Sequence, residues 1–170
     1  MSGPLVLVVM GVAGSGKTTT ARNLSKALGW PYRDADEFHP AANIAKMTRG
    51  EALTDEDRAP WLAAIAAWID QNLAAGTSAI VTCSALKRAY RDVLAGGRPG
   101  VRMIHLVASQ SLIAGRMAAR KHHFMPTSLL DSQFAALERP APDEHVLDVS
   151  VEQSPKAVVQ DILTRLGLRG

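Results

Sequence analysis

The chain has one cysteine, three tryptophans, three phenylalanines and two tyrosines in 170 residues. The lone Cys83 excludes an intrachain disulfide and points to a reducing compartment. Aromatic residues at 5% leave few platforms on which bases could stack, which argues against a nucleic-acid partner. Charge of one sign is scarce too. The formal excess of +3 is too small for a polyelectrolyte binder, although it gives a mild field that favours small anions. The first apolar run, residues 5–10, is far short of a bilayer span. No basic leader precedes it and it runs into a glycine-rich loop, so it is not read as a secretory signal. The expectation is a cytoplasmic protein with neither a membrane nor a nucleic-acid partner.

Apolar residues make up 47% of the chain and charged residues 21%, the proportions of a globular protein with a real core. The length fits one domain over residues 1–170. Residues 5–10 form a continuous, β-branched-rich run, as in a strand buried on both faces of a parallel sheet. Residues 17–28 have helical spacing, with Gly29 as a stop. Residues 32–35 read as a short strand and 41–47 as a short helix. A longer helix is expected over 55–73, opened by Thr54 and Asp57 in a variant capping box. Further strands are expected at 78–83, 101–107 and 145–151. Further helices are expected at 86–94, 112–121, 128–137 and 155–166, the last with Ser154 as cap and Pro155 at the favoured first position. This alternation implies an α/β fold, a parallel sheet covered on both faces.

Gly11-Val12-Ala13-Gly14-Ser15-Gly16-Lys17-Thr18 fits G-x-x-x-x-G-K-[ST], between a buried strand and a helix. Glycines let consecutive N–H groups close on phosphate oxygens, and the helix N-terminus adds partial positive charge. The expected nucleotide contacts are Gly11, Ala13, Gly14, Ser15, Gly16, Lys17, Thr18 and Thr19. Lys17 would bridge the β- and γ-phosphates of ATP, and the Thr18 hydroxyl would meet Mg²⁺. The third strand ends in Cys83-Ser84, not in the aspartate of a Walker B strand. An acidic partner for Mg²⁺ must come from elsewhere, and Asp34 and Asp36 after the second strand supply one. Sequences that read guanine are absent, and the chain is short for a motor. Cys83 reads as a small buried residue, not as a nucleophile.

Asp34-Ala35-Asp36-Glu37-Phe38-His39-Pro40, Asn43 to Met47, Leu53 to Leu62, Cys83-Ser84-Ala85-Leu86-Lys87, Tyr90-Arg91-Asp92, His123-Phe124-Met125-Pro126 and Ser132-Gln133-Phe134 resemble the gluconokinase family. The resemblance runs from Gly11 to about Val151. It implies a three-layer α/β/α P-loop kinase fold, a five-stranded parallel sheet in the order 2-3-1-4-5, and a helical lid over about 116–137. It implies ATP-dependent phosphorylation of D-gluconate to 6-phospho-D-gluconate, with Mg²⁺ as cofactor, and it is compatible with a homodimer.

Gluconate has a carboxylate, a row of hydroxyls and a terminal alcohol, so its kinase needs a cation, polar groups and an acid. Arg58 suits the carboxylate, since a guanidinium grips one bidentately. Asp36 is the candidate to orient and deprotonate the acceptor hydroxyl, with Asp34 nearer Mg²⁺ and the two able to exchange roles. His39, Lys46, Lys87, Arg91 and His123 are further acceptor-side candidates. Arg116 and Arg120 are four apart and share a helix face. By resemblance Arg116 lies against the adenine, with Pro155 nearby, and Arg120 reaches the transferring phosphate as the lid closes. The family more often has glycine at the positions of Ala35 and His122. A shikimate-type kinase is the alternative enzyme, disfavoured because its glycine run after strand three is replaced by Ser84-Ala85-Leu86-Lys87. A non-catalytic nucleotide-binding regulator is the other alternative. Its expected losses at Lys17, Thr18, Asp34, Asp36, Arg116 and Arg120 are not seen.

Overall fold

Every side chain of β1 (Val6–Met10) is shielded from solvent, which a strand achieves in mid-sheet with both faces covered. The computed structural model describes residues 3–118 and 127–169 and puts β1 in that place. β2 (Tyr32–Asp34), β3 (Ala79–Thr82), β4 (Val101–Val107) and β5 (Leu147–Ser150) join it in one parallel sheet, ordered β2-β3-β1-β4-β5. The expected strand order is therefore the observed one.

Alternate residues of β1 face opposite ways and seed two cores. Val6, Val8 and Met10 pack with Trp61, Leu62, Ile65 and Ile69 of α3 (Asp55–Ala75) and Leu94 of α4 (Arg88–Ala95). Leu7 and Val9 pack with Ala21 and Leu24 of α1 (Lys17–Leu28) and with Val158, Val159 and Ile162 of α7 (Pro155–Leu166). Three α/β/α layers result. A smaller core of Val12, Leu86, Ile113 and Leu130 joins the phosphate loop to α5 (Gln110–Ala118) and α6 (Thr127–Ala136).

Caps explain which boundaries match expectation. α1 begins after Gly16 (φ +95°) and ends at Gly29 (φ +72°), whose N–H donates to the Ser25 carbonyl. Asp57 N–H donates to Thr54 Oγ1 at 3.1 Å and Thr54 N–H to Asp57 Oδ2 at 2.9 Å, so the capping box forms with aspartate in glutamate's place. α2 (Ala41–Thr48) lies between β2 and that box. α4 starts at Arg88, not at 86, because Ala85 is left-handed (φ +46°) and Lys87 is extended. β2 stops at Asp34, since Ala35–Phe38 winds into a 3-10 turn too short to leave a periodic signal. Among the described residues no helix is long and apolar enough to cross a membrane.

Candidate active site

β1 delivers the chain into Gly11 at φ +152°. A Cβ there would lie 2.7 Å from Ser15 Oγ and 3.2 Å from the Leu106 carbonyl oxygen, so the loop turns this tightly only with glycine. Gly11→Ala is expected to weaken ADP binding roughly 5- to 150-fold, from ~1–3 kcal/mol of strain. Calorimetry checks it, and an unchanged affinity would mean the loop yields freely.

Lys17 Nζ donates to the Gly11 and Val12 carbonyls, each at 3.0 Å. Burial brings its pKa down to about 8, against the pull of Cys83, Asp36 and Asp34. Ser15 Oγ is buried without a hydrogen-bond partner among the described residues.

The acidic side comes from β2, whose neighbour is β3. Asp34 Oδ1 accepts from Thr82 Oγ1 at 2.7 Å and from Thr18 Oγ1 at 3.2 Å. Asp36 follows on the 3-10 turn, which is fastened twice. Asp34 N–H donates to Glu37 Oε2 at 2.8 Å, and the buried Trp61 Nε1–H donates to the Ala35 carbonyl at 2.7 Å. Among the described residues no group of three or more His, Cys, Asp or Glu is arranged for a metal. The Thr18–Asp34 oxygen pair fits Mg²⁺, which takes one or two protein oxygens and completes its shell with phosphates and water.

α3 supplies the wall opposite. Its capping box sets the first turn and so aims Arg58, whose NH1 donates to Tyr90 Oη at 3.1 Å. Tyr90 Oη donates in turn to Asp55, on which Lys87 Nζ also rests at 3.1 and 3.2 Å. The Tyr90 and Lys87 hydrogen bonds hold the Asp55 carboxyl below its usual range. His39 stacks on Trp61 with ring centres 4.6 Å apart and planes 8° from parallel. Burial lowers the His39 pKa.

These groups line one cleft of about 440 Å³, in which Lys17, Thr18, Asp34, Asp36, His39 and Arg58 face the same space, with Ala13, Trp61, Thr82, Ser84 and Gln133 between them. A second cleft of about 270 Å³ shares the phosphate loop through Gly14, Ser15, Gly16 and Thr19, and is closed by Arg116, Gln153 and Pro155. Arg116 donates to the Val151 carbonyl at 2.6 Å. A larger groove of about 920 Å³ between α1 and α7 has no phosphate-loop residue in its walls.

A family model described as an AAA domain matches residues 6–140. A gluconokinase from Gluconobacter oxydans (strain 621H) is 48% identical over 160 residues, covering 94% of this chain and 90% of that protein. The chain belongs to the gluconokinase family. A gluconokinase from Sinorhizobium meliloti 1021 superposes with a TM-score of 0.85 at 42% identity, covering 98% of this chain and 94% of that one. A sugar kinase from Janibacter sp. HTCC2649 superposes at 0.87 with 49% identity, covering 97% and 95%.

Within this gluconokinase fold Arg91 and Lys46 stand apart from the 440 Å³ cleft. Arg91 is 2% exposed and turned inward, with Nε 2.6 Å from Glu144 and NH1 on the Ala85 and Leu86 carbonyls at 3.0 and 3.1 Å. It braces the β3–α4 loop. Lys87, four residues earlier, precedes α4 and shares no helix face with Arg91. Lys46 lies 2.6 Å from Asp57 and holds its carboxyl down to about 2, tying α2 to α3. Lys87 is engaged by Asp55 at the edge of the Arg58 cluster. Arg120, His122 and His123 lie outside the described residues. Ala35, where gluconokinases more often have glycine, avoids positive φ and so accepts a side chain without strain. Cys83 is 1% exposed, and burial pushes its thiol up to about 12, so it is inert.

Sequence reasoning assigned no role to Tyr90, Asp55, Thr82, Trp61 or Gln133. All but Thr82 fall in the family-like blocks, which was the available signal. Thr82 is an ordinary strand residue until β2 pairs beside it.

Proposed function

We propose that this protein transfers the γ-phosphate of ATP to the terminal hydroxyl of D-gluconate, giving 6-phospho-D-gluconate and ADP. The observation that carries the reading is the single cleft shared by a phosphate-loop lysine, two carboxylates and a guanidinium. Membership of the gluconokinase family supports gluconate as the acceptor. ATP lies along Gly11, Ala13, Gly14, Ser15, Gly16, Lys17, Thr18 and Thr19, with its base beside Arg116 and Pro155. Thr18 and Asp34 hold Mg²⁺, which when bound neutralises charge on the β- and γ-phosphates.

Asp36 orients the attacking hydroxyl and receives its proton. Positioning outweighs proton abstraction here, because a loose phosphoryl-transfer transition state asks little of the nucleophile. Arg58 pairs with the gluconate carboxylate, and His39 and Lys87 meet the polar groups along the chain. A lid over about 116–137, within one domain of residues 1–170, closes over the site and excludes water. The lone buried cysteine suits a cytoplasmic setting.

The test is ADP release from MgATP across gluconate, other aldonates, glucose, shikimate and AMP. Turnover confined to gluconate is expected, and silence there with activity on another acid would discard the acceptor. Arg58→Ala is expected to raise KM for gluconate roughly 10- to 100-fold, from ~1.5–3 kcal/mol of charged hydrogen bonding, with KM for ATP unmoved. An unchanged gluconate KM would remove Arg58 from the site.

A further inference from the structure

The phosphate loop is bound from 120 residues away. Ala13 N–H donates to the side-chain oxygen of Gln133, on α6, at 3.1 Å. A backbone N–H can only donate, so the atom facing it must be Oε1, and the other arm of the carboxamide is fixed as the NH₂ group. That group has no hydrogen-bond partner among the described residues. Its side chain borders the same cleft as Lys17, Asp36 and Arg58.

The helix that carries it is held on both sides. Leu130 is buried with Val12 of the phosphate loop, and Phe134 packs on the same cluster. Just beyond α6, Glu138 N–H donates to the Leu86 carbonyl at 2.8 Å, and Glu138 Oε1 accepts from Arg88 N–H at 2.9 Å. Once the lid is closed, a donor so anchored needs little reorganisation when charge arrives, which is the condition for electrostatic stabilisation in transfer. The carboxamide engages one donor of the loop and offers two in its place. An anion rich in acceptor oxygens matches that exchange, and a phosphoryl group in flight spreads its charge over three.

We propose that Gln133 is a further catalytic residue, whose oxygen holds the loop at Ala13 while its NH₂ group donates to the γ-phosphoryl oxygens. This rests on the kinase reading of the cleft but not on gluconate as the acceptor. A mere loop brace would need the oxygen alone, and Gln133→Glu keeps an oxygen for Ala13 while replacing the donor with negative charge.

The experiment compares Gln133→Glu and Gln133→Ala with the unaltered chain. Calorimetry gives affinities for MgADP and for Mg²⁺ with a non-hydrolysable ATP analogue, and kcat and KM are measured with gluconate. Expected are an MgADP affinity within about twofold in Gln133→Glu, an analogue-to-ADP affinity ratio down in both variants and roughly tenfold in Gln133→Glu, and kcat down roughly 10- to 100-fold in both. KM for gluconate should move less than about threefold. An unchanged ratio in Gln133→Glu overturns the proposal whatever kcat does. So does a Gln133→Ala chain that loses ADP and analogue binding in parallel, which is the signature of a brace. The nucleotide ratio needs no acceptor, so silence on gluconate would defeat the substrate assignment and still leave Gln133 tested.

Discussion

Lys17→Ala is expected to lower kcat by at least roughly 10³-fold while the protein stays folded. Removing one preorganised donor to developing charge commonly costs 10²–10³ in rate, and here the donor is also the full charge nearest the phosphates. Among the described residues only two carbonyls, of Gly11 and Val12, lose a partner in the free protein, and water admitted by the shorter side chain can serve them. Near-normal turnover would sink the phosphate-loop assignment. The same residue predicts a pH dependence. Burial sets its pKa at about 8 in the free protein, so Lys17 is charged below that pH and increasingly neutral above it. ATP favours the charged form, and binding above pH 8 must take up a proton. KM for ATP should therefore rise with pH beyond 8, approaching roughly tenfold per unit, through linkage. Initial rates from pH 7 to 10 check this, and ATP-analogue binding to Lys17→Ala should be flat over that range.

How legible each part was depends on how far apart in sequence the deciding groups lie. α1 was readable to the residue because Gly16 and Gly29, both at positive φ, mark its ends locally. The phosphate loop was readable for the same reason, being eight consecutive residues with fixed chemistry. The Thr54–Asp57 box is also local, and it carried the start of α3 and the aim of Arg58. The acidic corner was half readable. Two aspartates after a strand can be seen in the sequence, but the Thr82 hydroxyl that grips Asp34 comes from 48 residues away through strand pairing. Gln133 reaches Ala13 across 120 residues, beyond any periodicity. The short 3-10 turns escaped because three or four residues carry no pattern to detect.

Arg91 shows the same limit with an energetic consequence. Nothing near it in sequence reveals that it meets Glu144, 53 residues on. The guanidinium also holds the carbonyls of Ala85 and Leu86, in a loop whose alanine sits at φ +46°, a conformation that costs about 1–2 kcal/mol outside glycine. It holds the Glu144 carboxyl below its usual range, and both side chains are nearly sealed from solvent, at 2% and 7%. Arg91→Ala therefore strands a buried carboxylate and unclamps a strained loop. The expected loss is about 3–5 kcal/mol, or a fall in Tm of roughly 6–20 °C for a chain of this size, read by calorimetry. Measured on the fraction that remains folded, KM for gluconate should stay near normal, the reverse of Arg58→Ala. Replacing Arg91 with methionine and Glu144 with leucine together should restore only part of the stability, because the stranded carboxylate disappears while the Ala85 and Leu86 carbonyls stay without their donor. A gluconate KM that rises with Arg91→Ala at undiminished Tm would instead return Arg91 to the acceptor site.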